Sequence, residues 1–237
     1  MLRRQYLIAS AWLATATGSW VGAGRERQDD ADDDPACPPS DEAAALEDGD
    51  PDIDVRDHEL VIDENGPAPD VFVDVTVENV GDAPSGRIDL EVEWYDENGL
   101  SLYETFEWLR TLGAGETWQA RVYHLPDPDE VADYDLAISV DDEAPTAPDG
   151  VVLEDSEMAV GERRVEIEGL AANEIGAELP YIEAIGIIYD EDCVVIGSGR
   201  TNATDVPADE PWAFDLSWRG RDRLEDAAAH RIVLSDW

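Results

Sequence analysis

The chain contains no lysine. All 15 of its bases are arginine, set against 58 acids, and the formal charge is −43 over 237 residues. So few cations argue against a nucleic-acid partner, because phosphate binding needs basic patches. They argue equally against docking on a bare anionic membrane surface. Histidine is scarce too: only His58, His124 and His230 are present, none in a recognisable motif. Nucleophilic catalysis needs a base beside the nucleophile, so no catalytic residue and no cofactor site is expected. The only cysteines, Cys37 and Cys193, lie far apart without a companion histidine. This excludes a zinc site, which needs clustered cysteine and histidine.

What is present is a normal core. Hydrophobic residues make up 43% of the chain, enough to pack a folded protein despite the acid. In dilute buffer such a charge strains the fold by self-repulsion. In molar salt the Debye length falls to about 3 Å and most of that strain disappears. Lysine, with its long apolar stem and no planar fork, is the base such a surface would avoid. The composition points to a halophilic, archaeal source, and the acid reads as a solvated surface rather than as catalytic carboxylates.

The N-terminus runs Arg3-Arg4-Gln5-Tyr6-Leu7, then an apolar stretch over 7–23 ending in Val21-Gly22-Ala23. The order of positive, apolar and small residues is that of an export signal, and the paired arginines resemble a twin-arginine leader. At 17 residues the stretch falls short of the ~20 that span a bilayer. A cleaved leader and an uncleaved anchor both fit, and the membrane is met only through this segment if it is uncleaved. No cysteine directly follows the stretch, so a lipid anchor is not expected.

Further along, residues 29–54 hold twelve acids, no base and four prolines. Such a segment reads as an extended, disordered tether. The expected organisation is a signal or anchor over 1–28, a tether over 29–52, a first β-sandwich domain over 53–140, a linker over 141–150 and a second β-sandwich domain over 151–237.

The division rests on a repeat. Asn79, Tyr95, Asp96, Glu116 and Trp118 recur as Asn173, Tyr189, Asp190, Glu210 and Trp212, each 94 residues on. A period this long denotes tandem domains, not a solenoid. Within each copy the apolar residues alternate: Val71, Val73, Val75 and Val77, then Ile88, Leu90, Val92 and Trp94, with later strands around Trp118 and Leu136. The second copy follows with strands around Ile167, Ile182–Ile188, Phe214 and Ile232. Period-two strands, six or seven per ~90 residues, predict an all-β chain of two tandem immunoglobulin-like antiparallel sandwiches. One short helix is expected over 222–230.

The strand ending Val77-Glu78-Asn79, the run Trp94-Tyr95-Asp96-Glu97-Asn98-Gly99 and the strand start Gly115-Glu116-Thr117-Trp118 resemble the motifs of FxLYD-domain proteins. The second copy shows Ala172-Asn173, Ile188-Tyr189-Asp190 and Glu210-Pro211-Trp212. Both copies depart from the pattern where the family has phenylalanine, at Val92 and Gly186, and where it has leucine, at Trp94 and Ile188; the second also loses the turn glycine at Cys193. The resemblance implies an immunoglobulin-like sandwich in the cell envelope, no catalytic activity and often a lipid-modified leader.

A few features are candidate sites. Asp96 and Asn98, and likewise Asp63 and Asn65, place oxygen ligands around a turn glycine. They are weak calcium candidates that lack the spacing of an EF-hand, and ordinary turn chemistry is the better explanation of both. Cys37 and Cys193 could form an internal disulfide, pair between molecules or stay as free thiols. Asn202 opens a glycosylation sequon in an expected loop over 197–207. Leu170, Ile185, Ile187 and Val233 put apolar residues on the face that should be wet. That is a partner surface if exposed, unless the first domain or the 222–230 segment covers it. The expected function is a non-enzymatic, exported envelope module that contacts another envelope protein. The alternatives are an extracellular solute- or cation-binding protein and, third, a hydrolase that would need a histidine beside a serine.

Overall fold

Alternation along the chain becomes twelve strands in the computed structural model, which describes residues 49–63, 69–124, 130–141, 143–208 and 210–236. In the first half they are β1 (Ile53–Asp63), β2 (Asp70–Asn79), β3 (Ile88–Tyr95), β4 (Ser101–Leu109), β5 (Thr117–His124) and β6 (Asp133–Val140). In the second half they are β7 (Val151–Val160), β8 (Val165–Asn173), β9 (Leu179–Tyr189), β10 (Val195–Val206), β11 (Pro211–Trp218) and β12 (Ala229–Ser235). A 3₁₀ helix, Arg221–Asp226, precedes β12. The described chain is all-β apart from that turn. The expected helix over 222–230 is therefore shorter, and Ala229 and His230 already belong to β12.

Strand order is the same in both halves. In the first, β1-β2-β5 faces β4-β3-β6; in the second, β7-β8-β11 and β10-β9-β12 take those places. Each half buries one face of its alternating strands: Val73, Val75, Val77, Ile88, Leu90, Val92 and Trp94 are fully buried in the first, and Val165, Ile167, Ala184 and Ile188 in the second. The edge pairs even share a bulge. It lies opposite Val77 and Thr76 in β2 and opposite Ala171 and Leu170 in β8, positions one repeat apart.

The repeated asparagines explain themselves locally. Asn79 donates from Nδ2 to the carbonyls of Ala83 (2.8 Å) and Leu112 (2.9 Å). Asn173 donates to Ala177 (2.9 Å) and Val206 (3.3 Å), the carbonyls at the same sequence offsets. Each is a buried amide that satisfies loop carbonyls left over at a strand end. The motif turns match as well. Asp96 Oδ1 accepts from the amides of Asn98 and Leu100, both at 2.8 Å, with Gly99 at φ +75°. Asp190 Oδ1 accepts from Asp192 (3.0 Å) and Val194 (2.9 Å), with Cys193 at φ +63° in the place of the glycine.

The two halves share one sheet. Strand β5 pairs in parallel with β10 at Trp118 and Val195, giving a six-stranded sheet of order β1-β2-β5-β10-β9-β12. All described residues fall in a single compact unit. This overturns the partner-surface reading of the apolar patch. Ile185 and Ile187 are fully buried in the core cluster of the first half, together with Tyr189 and Val195, and Val233 packs against that cluster. Leu170 is half-buried in β8, where it pairs with Ala213. Strand β9 thus has a core on each side, which is why it reads apolar on both faces.

Other expectations change. The 197–207 segment is strand β10 rather than a loop, and Asn202 is exposed on it, opposite Glu183. The end of the expected tether is pinned: Asp50 and Asp52 accept from the amides of Asp82 (3.2 Å) and Val80 (2.8 Å). The linker is tied down too, since Asp141 donates to Arg87 (2.8 Å) and Pro145 is buried. The expected leader and most of the tether lie outside the described residues. Among those described, no helix is long and apolar enough to cross a membrane.

Candidate functional site at the junction

The junction is stitched by buried charge. Glu116 of the first half accepts from Arg231 of β12 (2.9 and 3.0 Å) and from the hydroxyl of Tyr189 (2.7 Å). The Glu116 and Arg231 side chains are 5% and 10% exposed. Burial pushes the Tyr189 hydroxyl well above its ordinary pKa, so it stays a proton donor. Two motif residues from different copies, the glutamate of the first and the tyrosine of the second, therefore meet across the junction. A second cluster lies farther along β9: fully buried Glu183 accepts from Arg110 (3.0 Å) and Arg200 (2.7 Å).

Next to these sits a cleft of about 70 Å³. Its walls come from β5, β10, the end of β11 and the 3₁₀ helix, and four arginines line it: Arg121, Arg219, Arg221 and Arg223. Arg121 and Arg223 are held in place. Arg121 pairs with Asp222 (2.7 Å) and lies over the Phe72 ring, 4.8 Å from its centroid. Arg223 is buried and donates to the Gln119 carbonyl at 2.5 Å, tying the second half to the first. The Nε atoms of both are buried without a hydrogen-bond partner. Burial first, then the Arg121 charge, lower the pKa of Arg223.

Arg219 and Arg221 differ. Both are exposed, and neither has an ion pair or hydrogen bond among the described residues. Arg221 lies over the Tyr123 ring, 4.4 Å from its centroid, with its backbone at φ +52°. Glu107 faces them from β4, and burial raises the pKa of its carboxyl against the lowering pull of Arg221. Trp218 forms part of the wall between two glycines: a Cβ at Gly197 or Gly220 would come within 2.2 Å of its ring. The glycines are needed because the indole lies against the backbone there. Beside the cleft, an open depression of about 740 Å³ is bordered by Arg163, Arg164 and Arg219.

The histidines close sheet edges. His58 Nδ1 meets the Tyr134 hydroxyl at 2.6 Å, linking β1 to β6. His230 Nε2 meets Ser156 Oγ at 3.0 Å and links β12 to β7, the corresponding edge. His124 meets the Tyr103 hydroxyl at 2.6 Å between β5 and β4. His230 beside Ser156 is the contact a hydrolase would need, but no carboxylate orients the ring among the described residues. Its place matches the His58 link, which has no serine.

The calcium candidates fare differently. Both carboxylate oxygens of Asp96 are taken within its turn, Oδ2 by Asn98 Nδ2 at 3.2 Å, and those bonds lower its pKa. Asn65 lies outside the described residues. No cluster of three or more histidine, cysteine or acidic side chains able to hold a metal occurs among the described residues. Cys193 is not a free thiol; Cys37 lies outside the described residues.

Sequence reasoning missed the arginine cleft. Its one signal was Arg219, Arg221 and Arg223 spaced two apart in a chain poor in cations. No protein-family model matches the chain, and no curated protein is significantly similar to it.

Proposed function

We propose that the chain is an exported, non-enzymatic cell-envelope module built of two immunoglobulin-like, FxLYD-like sandwiches, which contacts its partner through the arginine-lined end of the junction. The matching strand order, bulges and asparagine clamps of the halves support the tandem reading. The contact surface rests on one observation. With 58 acids for 15 bases, most arginines should find a carboxylate, yet Arg219 and Arg221 make no ion pair among the described residues at the mouth of one cleft. The apolar patch on β9 is already covered, so it does not serve as that surface.

The test is crosslinking in intact cells at native salt, with mass spectrometry and fractionation of membrane and medium. Reproducible crosslinks from positions around 219–221 to one envelope protein support the reading. A protein free in the medium, without crosslinks, contradicts it. That outcome favours a soluble solute-binding protein, a second reading which the arginine-lined cleft supports. The hydrolase reading has only the His230–Ser156 contact behind it, and a serine-reactive probe that labelled Ser156 would revive it.

A further inference from the structure

The size and charge of the junction cleft narrow what it can hold. Pockets for drug-sized ligands run about 300–1,000 Å³, and this one is about 70 Å³, room for a single small group. The cations at its mouth are guanidiniums, whose planar fork of donors matches the oxygens of phosphate, sulfate or carboxylate. Two of them, Arg219 and Arg221, make no ion pair or hydrogen bond among the described residues, and Glu107 is the one carboxylate that lines the cleft with them. A singly charged carboxylate would offset one; a dianion offsets both. Arg121 and Arg223, beside them, crowd each other; their buried Nε atoms make no hydrogen bond, and the carboxylates nearest them, Asp74 at 3.6 Å and Asp226 at 3.8 Å, lie beyond hydrogen-bond reach.

We propose that this cleft binds a dianionic tetrahedral oxyanion, a phosphate or sulfate group held between the guanidiniums of Arg219 and Arg221. This rests on the reading of the arginine-lined end as the contact surface, and it names the chemistry recognised there. Glu107 works against the ligand: its carboxylate faces the same space and pulls on Arg221. Arg219 also borders the open depression beside Arg163, so a larger molecule bearing the group has somewhere to extend.

The test is isothermal titration calorimetry on the full chain in molar potassium chloride. Inorganic phosphate, inorganic sulfate and a sugar phosphate monoester are titrated at matched ionic strength. Bulk screening is strong there, so a surviving signal reports a formed site. Saturable one-to-one binding is expected. The double variant Arg219→Gln/Arg221→Gln, both exposed positions, should weaken it by about tenfold or more, the usual effect of losing a charged hydrogen bond. Glu107→Gln keeps the side-chain carbonyl that accepts from the Trp108 amide (3.1 Å) and should tighten binding.

A monoester that binds more tightly than the inorganic ions assigns the group to a larger molecule; equal affinities assign it to a free ion. No saturable binding by any of the three, or binding unchanged in the double variant, overturns the proposal. Such a failure alongside crosslinks from 219–221 to an envelope protein would leave the module standing without an oxyanion.

Discussion

Exposed and buried ion pairs carry different weights in this molecule. Arg164 with Glu166 is half exposed, and pairs of that kind contribute about 0–1 kcal/mol, less in salt. Glu116 with Arg231 is almost wholly buried, and removing one partner strands the other charge. Glu116→Gln should therefore cost about 3–5 kcal/mol, measured by denaturant unfolding in molar salt, whereas Glu166→Gln should cost little. His230 gives a pH signature. Burial holds its pKa below the usual 6.5, so the folded state resists a proton that the unfolded state accepts. Its contribution is complete above about pH 6.5 and is lost as pH falls through the folded value. Thermal melts between pH 8 and 5 should show wild type losing stability relative to His230→Gln as the pH drops; parallel curves would contradict the assignment.

Among the elements, β9 decides the architecture. Ile182, Ala184 and Ile188 face the core of the second half, while Ile185, Ile187 and Tyr189 face that of the first. Ile187→Ala should cost about 2–5 kcal/mol, and Ile62→Ala, at an exposed position, close to nothing; denaturant midpoints at constant slope check both. Strands with clean alternation, such as Val71–Val77 and Ile88–Trp94, were legible in the sequence. The edge strands β1 and β7 were not, because their bulges break the period. Strand β10 was hidden by Gly197, Ser198 and Gly199 and by a polar tail, although its glycines make room for Trp218 and Leu216. The extra apolar residues of β9 were visible, but their cover lies one domain away in sequence. The arginine cleft depends on the same junction: its lining comes from β4 and β5 and from residues 196–223, and no local pattern joins them.

At the scale of the whole molecule, a −43 chain is held together at its centre by largely buried ion pairs. Salt screens the acidic surface and scarcely touches those buried pairs. The cleft exists only while the halves share a sheet, so the proposed contact site and the cohesion of the halves have the same origin. If the halves were independent beads on a linker, the arginines from β5 and from the 3₁₀ helix would have no fixed geometry. Scanning calorimetry of the full chain in molar salt tests this most directly. A single cooperative transition, displaced downward as one by Glu116→Gln, is the predicted result. Two separable transitions in the wild-type protein, with Glu116→Gln leaving each in place, would contradict it.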